Sequence, residues 1–179
     1  MNSKIAITLG SFAQADARPF EILKAEGYEI ITNGFGRKLT EKETIGLCSG
    51  SVGIVAGVET YTSDILERLS GLRVISRCGV GIDNVDLKAA KEQGVSVFNT
   101  PDAPTLAVAE FTIGSILSLL RNITVMDRGM RDGEWKPKMG SVLSGKRVGI
   151  IGFGRIGRNV AELLKPFDCS ISYADPLIQ

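Results

Sequence analysis

Apolar and polar positions follow two alternating periods along the first hundred residues. Short runs rich in β-branched side chains predict strands, and apolar residues three to four positions apart predict helices. The predicted strands cover residues 5–9, 28–32, 51–56, 73–76 and 95–98, and the predicted helices between them cover 19–25, 62–69 and 85–93. Repeated strand-helix-strand units indicate an α/β fold with a parallel sheet covered on both faces.

The pattern is interrupted over residues 99–104. Pro101 and Pro104 lie there, and a proline does not continue a helix or a central strand. We place a domain boundary at this segment, which divides the chain into residues 1–99 and 100–179.

A long helix is predicted over residues 105–123. Apolar residues recur in it at regular spacing, at Leu106, Ala109, Ile113, Ile116, Leu117 and Leu120. Val108, Phe111 and Leu119 make much of the remaining circumference apolar as well. A helix that is apolar nearly all round is buried, either in the core of one chain or against a second subunit. The pattern leaves both possibilities open.

Residues 126–144 are predicted to be irregular. Gly133, Pro137 and Gly140 break any period in this segment. Its single tryptophan, Trp135, is predicted to anchor the segment on the domain surface through its large apolar area.

Composition excludes several functional classes. The 21 lysines and arginines are scattered among 20 acidic residues, for a net charge of +1, which argues against a nucleic-acid surface. There is no histidine, and Cys48, Cys78 and Cys169 lie far apart, so no metal site is predicted. Reduced cysteines favour a cytoplasmic chain. No secretion signal or membrane-spanning run is recognised, so no membrane partner is expected.

The strongest motif begins at residue 146. An apolar strand is predicted over residues 146–151 and leads directly into the G-x-G-x-x-G sequence Gly152, Phe153, Gly154, Arg155, Ile156 and Gly157. A helical pattern and a second strand, residues 169–174, follow and end at Asp175. This is the first β-α-β unit of a Rossmann nucleotide-binding domain, in which phosphates bind at the helix N-terminus and the acid binds the ribose hydroxyls.

The acid at Asp175 favours NAD over NADP as the cofactor. A carboxylate repels a 2′-phosphate, and no basic residue follows Asp175. An acid at this position also suits FAD or S-adenosylmethionine, so the motif alone does not exclude those cofactors.

A second glycine turn lies at residues 77–86, with the sequence RCGVGIDNVD. It follows a predicted strand and precedes a helix. Its exposed backbone amides suit a carboxylate ligand, but a purely structural turn that caps the next helix through Asp83 or Asn84 is equally compatible with the spacing.

Three motifs together resemble one family. They are SRCGVGIDNVD at residues 76–86, NTP followed by VAE and an apolar helix ending in LLR at residues 99–121, and GKRVGIIGFGRIG at residues 145–157. In this order they resemble the D-isomer-specific 2-hydroxyacid dehydrogenases, and within them the phosphoglycerate dehydrogenase branch. Residues 1–70 share only the βα rhythm.

The resemblance implies a specific architecture and site. A flavodoxin-like parallel-sheet substrate domain, residues 1–99, would precede the first β-α-β part of a Rossmann NAD-binding domain, residues 100–179. Gly79, Val80 and Gly81 would hold the carboxylate of a 2-hydroxy or 2-keto acid. Val80 and Thr105 would border the nicotinamide. In this family the helix over residues 105–123 belongs to a homodimer interface.

The resemblance also implies that part of the enzyme is missing. Members of the family take an arginine, a carboxylate and a histidine for hydride transfer from segments beyond the second Rossmann strand. We therefore assign no catalytic residue to this chain and expect it to be a fragment with uncovered sheet edges, inactive by itself. The rival hypothesis is a non-enzymatic NAD-binding or interaction module, such as a redox sensor or a remnant gene product.

Overall fold

The computed structural model describes residues 3–178, which form two compact units. The first unit extends to Pro101 and the second begins at Asp102. In the first, five strands alternate with four helices: β1 (Lys4–Ile7), α1 (Arg18–Ala25), β2 (Glu29–Thr32), α2 (Glu41–Cys48), β3 (Ser51–Ala56), α3 (Ser63–Arg68), β4 (Val74–Arg77), α4 (Leu87–Glu92) and β5 (Ser96–Asn99).

The five strands form one parallel sheet in the order β2-β1-β3-β4-β5. This is the strand order of flavodoxin-like folds, in which the order reverses between β1 and β3. The predicted fold class is therefore confirmed for this unit. Its core joins residues of β1, β3 and β4, including Ala6, Ile54 and Ile75, to residues of α2, α3 and α4.

Two features of the first unit differ from the sequence-based predictions. Helix α2 was not predicted, although Thr40 and Glu43 form a capping box at its start. The Thr40 hydroxyl accepts a hydrogen bond from Glu43 N, and the Glu43 carboxylate accepts one from Thr40 N at 2.8 Å. The prediction of a sheet covered on both faces is wrong for β5, where the side chain of Phe98 is 60% exposed.

The second unit contains the remaining elements. They are α5 (Thr105–Leu120), α6 (Ile123–Arg131), β6 (Arg147–Ile151), α7 (Arg155–Leu164), a short 3-10 helix (Lys165–Phe167) and β7 (Ser170–Ala174). Strands β6 and β7 pair in parallel around α7, as the predicted β-α-β unit requires. Ala109, Leu143, Val160 and Leu164 form the centre of its core.

The segment after α5 corrects three predictions. The helix predicted over residues 105–123 ends at Leu120, because Asn122 adopts a left-handed conformation (φ 55°). Residues predicted to be irregular then form α6, whose axis is bent by 67° from that of α5. Trp135 does not anchor the following segment, since it is 78% exposed.

Helix α5 is not buried all round. Only Ala109 is fully buried, and one side of the helix, including Ile113 and Leu117, packs into the core of the second unit. Phe111 and Leu119 point outward and are 76% and 77% exposed. The prediction of a helix buried within the core of one chain is therefore wrong for this outer face.

Strand β6 shows the uncovered surface that the sequence predicts. Ile151 at its end is 96% exposed, although it is an apolar residue of a strand.

Within residues 3–178, no single helix is both long and apolar enough to cross a membrane. Helices α5 and α6 meet that condition of length and composition only together, as a bent pair.

Candidate functional site

The glycine turn after β6 has the conformation that its sequence requires. Gly152 adopts φ +90°, a value that favours glycine, and its N–H donates to the carbonyl of Ala174 in β7. Gly154 is the N-cap of α7, and the space where a Cβ would lie is open. The backbone at this position is therefore accessible to a ligand.

Gly157 allows α7 to pack closely against the turn. A Cβ at this position would collide with the carbonyl oxygen of Gly152 and would lie 3.3 Å from Cγ2 of Ile150. The first turn of α7, with its free N–H groups, is thus held against the end of β6. Such a helix start binds anions through its N–H groups and its dipole.

The carboxylate of Asp175 is fixed at the same turn. Its Oδ2 accepts a hydrogen bond from Phe153 N at 2.6 Å, and its Oδ1 accepts one from Leu177 N at 2.8 Å. The N–H groups of Leu177 and Phe153 hold the pKa of Asp175 below its usual value of 3.8. The side chain is therefore ionised at neutral pH, as an acid that binds ribose hydroxyls must be.

The other residues of the motif have distinct environments. The ring of Phe153 stacks on Tyr173, with centroids 4.0 Å apart. Nε of Arg155 lies 2.8 Å from Oδ1 of Asp102. The side chain of Ile156 packs into the core of the second unit, so only its backbone faces the turn.

Thr105 begins helix α5, and its N–H donates to the carbonyl of Asp102. Its hydroxyl is buried and has no hydrogen-bond partner among the residues that the structure describes. Thr105 belongs to the second unit, whereas Val80 belongs to the first.

The second glycine turn directly follows β4. Gly79 adopts φ +147°, a backbone conformation that residues with a side chain rarely adopt, so glycine is favoured there. Val80 and Gly81 are exposed. Within residues 3–178, their N–H groups donate to no protein acceptor.

The structure corrects the predicted cap of helix α4. The residue that caps it is Asp86, whose Oδ1 accepts from Ala89 N at 2.9 Å, and neither Asp83 nor Asn84 takes this role. The side chain of Asn84 instead donates to the carbonyls of Gly57 and Glu59. The glycine turn is therefore separated from the helix cap, which leaves its backbone available for another role.

Sequence reasoning included Asn99 and Thr100 in the second of the three motifs but gave neither residue a role in the site. Asn99 Nδ2 donates to the carbonyl of Val80 at 2.7 Å, and the Thr100 hydroxyl accepts from Gly79 N at 2.8 Å. The available signal was two polar residues directly after a strand next to β4. The carboxyl ends of neighbouring parallel strands lie at one edge of a sheet, where sites are formed.

A cavity of about 470 Å³ opens beside this turn, at the carboxyl ends of β1, β3 and β4. Its lining includes Lys38, Arg77 and Glu59. The Glu59 carboxylate is buried and accepts hydrogen bonds from the Thr8 hydroxyl at 2.7 Å and from Leu39 N. The cavity therefore combines two cationic side chains with one buried acid.

The cysteines form no second site. Burial raises the pKa of Cys48 to about 12, so its thiol stays protonated at neutral pH. Cys78 is exposed and Cys169 is half-buried, and all three are free thiols. Among residues 3–178, no group of three or more histidine, cysteine or acidic side chains is arranged to bind a metal ion.

Comparison with known proteins agrees with this arrangement. Residues 10–172 match the family model described as the D-isomer specific 2-hydroxyacid dehydrogenase catalytic domain. The chain belongs to this family. The resemblance found in the three sequence motifs is therefore confirmed.

Individual members of the D-2-hydroxyacid dehydrogenase family show how much of the chain is shared. D-3-phosphoglycerate dehydrogenase from Sus scrofa is 39% identical over 161 residues, which are 88% of this chain and 30% of that protein. The apo structure of D-lactate dehydrogenase from Escherichia coli superposes with a TM-score of 0.80 at 31% identity, over 98% of this chain and 56% of that one.

A third member was solved with its cofactor. The NAD+-bound 3-phosphoglycerate dehydrogenase of Entamoeba histolytica superposes with a TM-score of 0.78 at 26% identity, over 100% of this chain and 56% of that one. The chain thus spans about a third of the curated phosphoglycerate dehydrogenase and somewhat more than half of the solved chains.

Proposed function

We propose that this chain is part of an NAD-dependent D-2-hydroxyacid dehydrogenase. It would contribute the turn that binds the substrate carboxylate and the first nucleotide-binding β-α-β unit. The observation that carries the proposal is the Asp175 carboxylate, held by Phe153 N at 2.6 Å beside the open N-terminus of α7. The proposal is supported because a helix start that can bind an anion and an acid that can bind ribose hydroxyls lie at one turn, which is the arrangement that a dinucleotide needs.

The acid at residue 175 supports NAD rather than NADP. Its ionised carboxylate would repel a 2′-phosphate, whereas it accepts hydrogen bonds from ribose hydroxyls. Family members solved with NAD, including the Entamoeba histolytica enzyme, support the same choice over FAD or S-adenosylmethionine.

The substrate proposed for the whole protein is a 2-hydroxy acid or 2-keto acid. The N–H groups of Val80 and Gly81 would hold its carboxylate. When bound, NAD+ would supply the hydride acceptor for oxidation at C2 of the hydroxy acid, which would give a ketone. This chain's residues bind and orient the two partners, and we assign the accompanying proton transfer to none of them, since the sequence has no histidine.

The finer proposal is a substrate with a second anionic group, such as 3-phosphoglycerate. It is supported by the 39% identity to D-3-phosphoglycerate dehydrogenase from Sus scrofa and by Lys38 and Arg77 in the cavity beside the glycine turn.

We also propose that the whole protein is a homodimer and that it acts in the cytoplasm. The dimer is supported by the exposed outer face of α5, where Phe111 and Leu119 flank the small residues Gly114, Ser115 and Ser118. The location is supported by the three free thiols, since disulfides are rare in that compartment.

Titration of NADH and NADPH into the purified 179-residue chain tests the cofactor assignment. We expect NADH to bind more tightly than NADPH, and Asp175→Ala to weaken NADH binding by about 10- to 100-fold, because a charged hydrogen bond contributes about 1.5–3 kcal/mol. Glu162→Ala, which removes an exposed acid on α7, is the matched control. Equal affinities for both nucleotides, or unchanged binding by Asp175→Ala, would overturn the assignment.

A second candidate is a non-enzymatic NAD-binding module. The absence of histidine favours it for the chain by itself. Both proposals predict NADH binding and no turnover by this chain alone, so an assay of NADH formation from D-2-hydroxy acids tests the module through its positive outcome. Turnover by the 179-residue chain would exclude the module and would show that a proton-transferring residue lies within these residues.

A further inference from the structure

The turn at Gly79 is hydrogen-bonded to Asn99 and Thr100, at the end of β5. Gly79 N donates to the Thr100 hydroxyl at 2.8 Å, Thr100 N donates to the Gly79 carbonyl at 3.0 Å, and Asn99 Nδ2 donates to the Val80 carbonyl at 2.7 Å. Arg77 and Asn99 are register partners in the β4-β5 pair, so the sheet fixes the distance between the two segments. We refer to Asn99 and Thr100 as the clamp.

The clamp decides which amides of the turn are available. Gly79 N–H is already shared between the Thr100 hydroxyl and the Arg77 carbonyl. Within the described part of the chain, the N–H groups of Val80 and Gly81 have no such acceptor, and both residues are exposed. Successive free backbone N–H groups in a turn form a binding site for an anion such as a carboxylate.

The hydrogen bonds of the clamp contribute little to the stability of the fold. All the side-chain hydrogen bonds that the clamp makes are exposed to solvent, and Thr100 itself is an exposed residue. Exposed hydrogen bonds contribute little to stability, because water replaces them when they are lost. Their effect on an already formed turn is to restrict its peptide planes, and a binding site gains affinity when its donors are oriented in advance.

We propose that Asn99 and Thr100 are positioning residues, which orient the Val80 and Gly81 N–H groups toward the carboxylate of the substrate. Neither residue touches the reacting atoms. The inference rests on the proposed function, since it takes the carboxylate of a 2-hydroxy or 2-keto acid as the ligand of this turn.

Residue-resolved NMR on the 179-residue chain tests the clamp, with pyruvate as the carboxylate probe and pyruvamide as its uncharged counterpart. Pyruvate is expected to shift the Val80 and Gly81 amide resonances saturably, and pyruvamide is not. Thr100→Val removes the hydroxyl and is expected to weaken pyruvate binding at least fivefold, as is Asn99→Ala. Thr100→Ser keeps the hydroxyl and is expected to restore the affinity.

Two controls separate positioning from folding. Thr112→Val removes a hydroxyl that bonds the Val108 carbonyl in α5, outside the turn, and is expected to leave pyruvate affinity unchanged. NADH affinity, which depends on the second unit, is expected to be unchanged in Asn99→Ala and Thr100→Val. A parallel loss of NADH affinity in both variants would show general unfolding and would contradict a positioning role.

The outcomes distinguish the inference from the proposed function. If pyruvate binds at Val80 and Gly81 but the clamp variants bind it as tightly as the unchanged chain does, the positioning role is wrong and the carboxylate site stands. If pyruvate shifts neither amide, the carboxylate assignment is wrong and the inference is overturned with it.

Discussion

At residue 157 the chain has no room for a side chain. The Cβ of an alanine there would meet the backbone carbonyl of Gly152, which cannot move without disturbing the turn. At Gly154, only three residues earlier, the same atom would lie in open space. Gly157 is thus required for packing, whereas Gly154 is proposed to be required for the approach of a ligand.

Alanine substitutions should separate these two reasons. Gly157→Ala is expected to lower the free energy of unfolding by about 1–3 kcal/mol, because overpacking against the backbone outweighs the better helix propensity of alanine. Gly154→Ala is expected to cost less than about 1 kcal/mol but to weaken NADH binding about tenfold or more. Urea unfolding and NADH titration of both variants provide the measurements. Equal stability losses would refute the packing argument.

The carboxylate of Glu43 is predicted to remain charged in acid. The bidentate ion pair with Arg37, together with hydrogen bonds from Thr40, lowers the pKa of Glu43 from 4.5 to about 2. Because the folded-state pKa is the lower one, this contribution to stability is complete above about pH 4.5. It is lost as the pH falls toward 2.

An NMR titration of the Glu43 side-chain carboxyl measures this directly. The resonance should not move until the pH is well below 4. A midpoint for Glu43 near 4.5 would show that the ion pair and the capping box do not persist in solution.

At the scale of elements, the outer face of α5 carries the clearest prediction. Phe111 and Leu119 leave an apolar surface on a helix whose other side is already packed. Leu119→Lys places a charge in that surface and is expected to convert a dimer to a monomer, because a buried unpaired charge is costly. Analytical ultracentrifugation measures the change.

A matched control tests whether the oligomeric state depends on the position of the substitution or only on the loss of an exposed apolar side chain. Ile22→Lys makes the same type of change at an exposed residue of α1 and should leave the oligomeric state unchanged. If the chain without substitutions is a monomer, or if Leu119→Lys remains a dimer, this face is not the interface.

The secondary structure was predictable wherever one local signal dominated. The five strands of the first unit follow from short β-branched runs, and the glycine motif with Asp175 locates β6, α7 and β7. Helix α2 was missed because its apolar pattern is weak, although the capping box from Thr40 to Glu43 signals its start. Helix α6 was missed because Gly133, Pro137 and Gly140, which follow it, break the period of the whole segment 126–144.

The tertiary details depend on contacts between distant residues, which the sequence pattern does not contain. Thr8 and Glu59 are bonded across 51 residues, and Asn99 reaches Val80 across 19. The composition of α5 indicated an apolar helix, but which of its sides faces the core was fixed only by the position of α7. The site motifs were therefore predictable, whereas the residues that position them were not.

For the whole molecule, the two units supply the two halves of one proposed reaction. In the proposed function, the first would present the exposed amides of Val80 and Gly81 to a carboxylate, and the second would present a helix start and the Asp175 carboxylate to a dinucleotide. Hydride transfer from C2 of the hydroxy acid would need the substrate and NAD+ to be bound at the same time. The nucleotide site is the more decisive of the two, because it selects the cofactor and with it the class of reaction.

The most direct test of this account is an NMR map of NAD bound to the 179-residue chain. We expect millimolar NAD to shift the amide resonances of Phe153, Gly154, Arg155 and Gly157 together with that of Asp175, and to leave those of α1 and α2 unchanged. Saturating shifts confined to other residues, or no shifts at all, would contradict the assignment of these residues to the NAD site.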